Sequence, residues 1–222
     1  MRLEAVFVLR LRTLIGERFK LKPLYRRWTA ASGQNDNKSL HLPELRGIVR
    51  AAASAMERSG NVKVNGRTFR RALGQFATGV TVVTGATARG GPVGVTVNAF
   101  ASLSLKPPLV LVCLRRAMRG LSAFVEGDHF AVNMLSERQQ RLSRRFASGR
   151  FDRRFKGVAW TRGANGCPIL GDCLAVLECS RVAIHDGGDH VIVVGRVQKL
   201  HYARRGHPLL YFRGHYGRFT TG

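Results

Sequence analysis

The 222-residue chain carries 37 lysines and arginines against 13 acidic residues, a formal net charge of +24, and 45% of it is apolar. That length allows one domain of ordinary size plus an appendage, and that apolar share is enough for a packed core. No apolar run approaches the ~18 residues of a membrane helix, which argues against a helical span and a membrane partner.

Charge of this size suits a nucleic-acid binder. The arginines, however, are scattered along the chain in pairs, among them Arg26-Arg27, Arg70-Arg71, Arg144-Arg145 and Arg204-Arg205. No aromatic RNA-binding strand, zinc-finger spacing or basic zipper accompanies them. Two readings remain, a solvated basic surface or the steering of anionic small molecules such as nucleotide cofactors. Both are preferred to nucleic acid.

Residues 1–60 differ from the rest of the chain. Val6-Phe7-Val8-Leu9 is preceded by Glu4 and broken by Arg10 and Arg12, a poor secretory core, so cytoplasm is the expected compartment. A polar break from Ser32 to Ser39 and a helix-like run from Leu45 to Met56 come next, without strand signals. The expected organisation is an N-terminal extension over 1–60, poorly ordered or partly helical, and one domain over 61–222. Met56 reads as a plausible true start.

From Arg67 the pattern becomes dense. Thr68 to Phe76 reads as a short helix capped by Thr68, with Phe69, Leu73 and Phe76 on one face, ended by Gly79. Val80 to Thr84 is a β-branched strand. Further strands are predicted at Val93–Asn98, Leu109–Leu114, Phe130–Leu135, Leu174–Ile184 and Val191–Tyr202. Two helices are predicted at about Arg119–Val125 and Glu137–Phe146. Gly90-Gly91-Pro92, Lys106-Pro107-Pro108 and Asp186-Gly187-Gly188-Asp189 supply turns. Strands outnumber helices and do not alternate with them regularly, which argues against a Rossmann sheet and predicts a mainly β fold, a barrel with flanking helices. No G-x-G-x-x-G opens a helix after a strand, so a nucleotide would be bound some other way. The four cysteines, Cys113, Cys167, Cys173 and Cys179, form no C-x-x-C pair, and reduced buried thiols are expected with no metal.

Two segments carry candidate chemistry. In Gly94-Val95-Thr96-Val97-Asn98, alternation puts Thr96 and Asn98 on one face and Val95, Val97 and Ala99 on the other. Ser102 and Ser104 repeat the spacing before the Pro107-Pro108 stop. Such a wall of small hydroxyl and amide groups suits a flat polar ligand, and it equally suits an ordinary half-exposed strand. In the second segment, Gly187-Gly188 predicts a tight hairpin that sets Asp189 and His190 at the mouth of a strand.

Read in order, several segments resemble one family. They are Phe69-Arg70-Arg71-Ala72-Leu73, Phe76 to Thr84, Thr96 to Ser104 with Pro107 to Val112, Phe130 to Leu135, Gln140 to Ala147, Leu174 to Cys179, and Gly188-Asp189-His190. The family is the flavin reductase-like family, built on an FMN-binding split β-barrel and including reductase components of two-component flavin-dependent monooxygenases. The resemblance covers about Phe69 to Phe219. It implies a homodimeric six-stranded barrel that binds FMN, or FAD, near the subunit interface and takes hydride from NADH or NADPH. It also implies a partner monooxygenase that receives the reduced flavin.

By position, the resemblance puts Thr96, Val97, Asn98, Ser102 and Leu103 at the flavin ring and ribityl-phosphate, through side chains and backbone amides. The strand Val80, Thr81, Val82, Val83 and Thr84 would line the same site, and His129 and Phe130 are a weaker carry-over. Gly188, Asp189, His190 and Val191 would meet the nicotinamide nucleotide, with His190 positioning it. Arg115-Arg116-Ala117-Met118-Arg119-Gly120 departs from the Ser or Thr that relatives carry there, so no phosphate contact is assigned to it. Two alternatives stand beside the reductase reading. One is an FMN oxidoreductase acting on another substrate, the other a non-catalytic flavin- or nucleic-acid-binding protein.

Overall fold

The computed structural model describes residues 63–220, and the expectations for residues 1–60 lie outside the described residues. The first helix among the described residues, α1, spans Gly66–Leu73. Its cap is Asn65, not Thr68. The Asn65 carboxamide oxygen accepts the backbone N–H groups of Arg67 and Thr68, both at 3.0 Å, and Thr68 Oγ1 accepts the Asn65 N–H in return. A cap must be extended, as Asn65 is, while Thr68 lies one turn inside and closes the box from its third position. The helix stops at Gly74, earlier than expected, so Phe76 lies beyond it.

The strands are β1 (Thr78–Gly79), β2 (Thr81–Ala86), β3 (Pro92–Val97), β4 (Phe100–Leu105), β5 (Pro108–Arg115), β6 (His129–Met134), β7 (Trp160–Arg162) and β8 (Pro168–Leu170). The long β9 (Ala175–Gly187) and β10 (His190–Tyr202) come next, then β11 (Leu210–Phe212) and β12 (His215–Gly217). Seven of them form one antiparallel sheet, ordered β3-β2-β6-β9-β10-β5-β4. The resemblance implied six. The seventh is the edge strand β4, which was not among the predicted strands.

The connectivity explains the barrel. Strands β3 and β4 lie at opposite edges of the sheet, yet only Asn98 and Ala99 join them. A two-residue link spans only about 10 Å, so the edges must approach and the sheet must curl. The edges do not pair with each other, which leaves the barrel split along one side. Val83, Val93, Val97, Val112, Phe130, Val132 and Val193 fill its interior, closed at one end by Ala123 and Phe124 of the short helix α2 (Ser122–Val125). That helix starts later than predicted because Gly120 adopts φ +79°, outside the helical region.

A second layer packs on the outside of β2. Val80, Val82, Leu135, Leu170 and Leu209 meet Phe146 of α3 (Gln140–Ser148) there. A single 3-10 turn over Glu137–Gln139 precedes α3, so the predicted helix begins tighter and ends two residues later. Strand β2, with cores on both faces, is buried from Thr81 through Gly85. Among the described residues no helix is long and apolar enough to cross a membrane.

Candidate active site

The hairpin expected from Gly187-Gly188 is present. Strands β9 and β10 are joined by Gly188 and Asp189 alone, with Gly188 at φ +72°. That value is strained for any residue with a β-carbon. His190 is half-buried at the first position of β10, pairs with Arg115, and its Nδ1 lies 2.7 Å from the exposed Asp189 carboxylate. The imidazole holds the Asp189 carboxyl below the usual carboxylate range.

Strand β5 brings the two predicted segments together. The Cys113 N–H donates to the Ala99 carbonyl at 3.0 Å, which sets Asn98 level with Leu114 on one side of β5. On the other side Leu114 pairs with Val191, and Arg115 with His190. At a strand spacing near 4.8 Å, Asn98 and the start of β10 stand about 10 Å apart. Between them the outer face of the sheet is apolar: Leu111, Cys113 and Ile192 are half-buried there, opposite the barrel interior. The result is a flat apolar floor with a polar edge strand on one side and the His190 turn at one end.

The side chains of several predicted residues do not face this surface. Thr81 Oγ1 donates to the Val97 carbonyl at 2.8 Å, and Thr84 Oγ1 to the Pro168 carbonyl at 2.6 Å. With Val80, Val82 and Val83 they are buried, so side chains of this strand cannot form a ligand wall. The correction follows from a strand with cores on both faces. Thr96 Oγ1 is likewise spent, donating to the Ser143 carbonyl of α3 at 2.6 Å. Val97 and Val191 face the barrel interior, and Phe130 is fully buried there. His129 is exposed but pairs with Ser180, which pairs with Arg196. That is six residues from His190, about 20 Å along β10.

Asn98, Ser102 and Leu103 remain exposed. A β-bulge separates Ser102 from Ser104: Ser102 lies opposite Val110 on the barrel side, whereas Ser104 lies opposite Leu109 on the outer side. The two serines therefore do not share a face. The bulge lies on an edge strand that pairs with β5 only, so outward backbone N–H and C=O groups are available next to Asn98. Neutral donors and acceptors beside an apolar floor fit the flat, polar-edged ring system of a flavin, and the excess of basic residues fits its phosphate. A cleft of about 310 Å³ beside Gln139, Leu142 and Val158 is lined by none of the predicted residues.

Sequence reasoning missed Arg116 and Asp186. The Arg116 N–H donates to the Asp189 carbonyl, its Nε to the Gly188 carbonyl, both at 2.9 Å, and its guanidinium pairs with Asp186. The guanidinium holds the Asp186 carboxyl below the usual range. The only local signal was an acidic residue two positions before the turn glycine. Its partner, 70 residues away, is visible only through the register. The four cysteines are free, and desolvation pushes Cys167 and Cys173 up to about 11 and Cys179 up to about 12. Among the described residues no three His, Cys, Asp or Glu side chains are grouped to hold a metal.

Comparison with known proteins identifies the family. The profile of the flavin reductase like domain matches residues 73–220. The FMN reductase (NADH) SmoA of Agrobacterium fabrum is 48% identical over 156 residues, 70% of this chain and 87% of that protein. HsaB, the reductase subunit of a flavin-dependent monooxygenase from Rhodococcus jostii, is 45% identical over 69% of this chain and 77% of its own length. The NADH:FAD oxidoreductase SgcE6 of Streptomyces globisporus, solved with NAD and FAD fragments, superimposes with a TM-score of 0.66. It is 36% identical, covering 70% of this chain and 93% of that one. Split barrel, ordered segments and relatives agree: the chain belongs to the flavin reductase-like family.

Proposed function

We propose that this protein is an NAD(P)H:flavin oxidoreductase that reduces FMN, or FAD, and supplies it to a partner flavin-dependent monooxygenase. One observation carries the reading. Strand β5 sets the exposed polar edge Asn98–Ser104 and the Gly188-Asp189-His190 turn on either side of one apolar floor, in a chain of this family. Bound flavin supplies the hydride-accepting chemistry. The protein has to bind, orient and exclude water, and a wall of neutral donors is sufficient for that. Asn98 and the outward backbone of β4 hold the ring edge, beside the floor of Leu111, Cys113 and Ile192. The His190 turn orients the nicotinamide nucleotide.

The floor is only half-buried, and α1 exposes Phe69 and Leu73 at 55% and 56%. Apolar surface of this kind supports a homodimer in which a second copy covers the site. Cytoplasm is the compartment that fits four free cysteines. The test is anaerobic oxidation of NADH or NADPH by the purified protein with FMN, FAD or riboflavin, followed at the flavin absorbance. Bleaching of the flavin supports the reading, and no consumption with any of the three refutes it. Sedimentation velocity reads the dimer separately.

A further inference from the structure

Arg116 belongs to a stretch of arginines that departs from the family pattern, and the structure uses it in one place. Its backbone N–H donates to the Asp189 carbonyl at 2.9 Å, and its Nε donates to the Gly188 carbonyl at 2.9 Å. Its Nη2 donates to Asp186 Oδ1, and that same oxygen accepts the Gly188 N–H at 3.2 Å. Every hydrogen-bonding backbone group of the loop from Gly188 N–H to Asp189 carbonyl, apart from the Asp189 N–H, is thus tied to Arg116 or Asp186. Asp189 in turn carries the His190 ring at 2.7 Å. Strand β5 ends at Arg115, so Arg116 is the first residue past it, directly beside the turn.

We infer that Arg116 is a positioning residue for the nicotinamide nucleotide, holding the Gly188-Asp189 loop and the His190 ring in their binding geometry before the nucleotide arrives. The inference rests on the proposed role of this turn and deepens it. As an ion pair the contact is weak: Arg116 and Asp186 are 48% and 79% exposed, and water screens such pairs strongly. Its value is geometric. A guanidinium offers two parallel N–H groups in a fixed fork, one for a carbonyl and one for a carboxylate, which a lysine ammonium cannot reproduce. A two-residue loop with a glycine at positive φ has wide conformational freedom, and ordering it during binding would weaken affinity. Arg116 removes that cost from the nucleotide. The flavin edge on β4 lies on the other side of β5 and does not touch the fork.

The full chain is tested as parent, Arg116→Ala, Arg116→Lys and Asp186→Asn, with NADH-dependent FMN reduction and FMN affinity by fluorescence quenching. Arg116→Ala is expected to raise KM for NADH by about three- to tenfold, with kcat and FMN affinity within about twofold of the parent. Arg116→Lys is expected to recover less than half of that loss, since it restores charge without the fork. Asp186→Asn should raise KM less than Arg116→Ala, and a variant combining Arg116→Ala with Asp186→Asn should fall short of the product of the two effects. A parent that consumes NADH while Arg116→Ala keeps its KM overturns the inference alone. Equal losses in KM, kcat and FMN affinity also overturn it, because they mark a merely structural role, and so does full rescue by lysine. If Arg116→Ala does not fold, the Arg116→Lys and Asp186→Asn values decide in the same way. A parent that oxidises no NADH refutes the proposed function, and the inference falls with it.

Discussion

Replacing Asn133 by Leu tests the physical core of this fold. Asn133 is fully buried on β6 and links three strands. Its Nδ2 donates to the Val82 carbonyl and the Thr84 hydroxyl, each at 3.0 Å, and its Oδ1 accepts the Leu170 N–H at 2.9 Å. Leucine is of broadly similar size, so packing changes little and the hydrogen bonds are what is lost. The Leu170 N–H then faces a buried apolar side chain, which costs about 1–3 kcal/mol. The two lost donor contacts add about 0.5–1.5 kcal/mol each, with Thr84 partly compensated by its bond to the Pro168 carbonyl. A loss of about 3–4 kcal/mol is expected, a large part of the roughly 5–15 kcal/mol typical of a domain. With a urea slope of roughly 2 kcal/mol/M, the unfolding midpoint should fall by about 1.5–2 M. Urea unfolding followed by tryptophan fluorescence reads this, at one fixed protein concentration because a dimer shifts the midpoint by mass action. A shift below about 0.5 M with an unchanged slope refutes the reasoning, since it would mean the three bonds contribute less than about 1 kcal/mol together.

Asn98→Leu should weaken FMN binding by about fivefold while leaving the unfolding midpoint unchanged, read by fluorescence titration and urea unfolding. Thr96→Val should do the opposite: its hydroxyl holds the Ser143 carbonyl, so stability falls by about 1 kcal/mol and FMN affinity stays close to the parent. His190→Ala should raise KM for NADH or slow single-turnover flavin reduction by up to about 100-fold, with FMN affinity nearly unchanged. Reduction at the parent rate across the whole NADH range would make it only a turn residue. Burial raises the Cys167 and Cys179 thiols to about 11 and about 12, so the folded state keeps them as thiols until the pH passes those values. At pH 8 about a thousandth or less is thiolate, and neither should react with a thiol reagent until the chain unfolds.

The strand-rich character, the order of the long strands and the tight hairpin at Gly188 were all legible from the residues alone. These rest on local physics: β-branched runs favour extended backbone, and paired glycines favour a turn with positive φ. The family was legible too, because several separate segments had to occur in one order, and the domain profile over residues 73–220 bears that out. Alternation along β3 grouped Val95 and Val97, which do share the core face, with Ala99, which is exposed beyond the strand end. Which polar groups face a ligand depended instead on how the layers pack. Thr96 read like a binding hydroxyl and the resemblance put Thr81 and Thr84 at the same site, yet each hydroxyl lies under a neighbouring layer and meets a backbone carbonyl. Burying a hydroxyl without a partner is costly, so a strand covered on both faces uses its threonines internally. The serines were separated by a bulge that no two-residue period anticipates. Asp186 and Arg116 were brought together by the β5–β10 register across 70 residues, a pairing set by long-range strand contacts and not by neighbours in the chain.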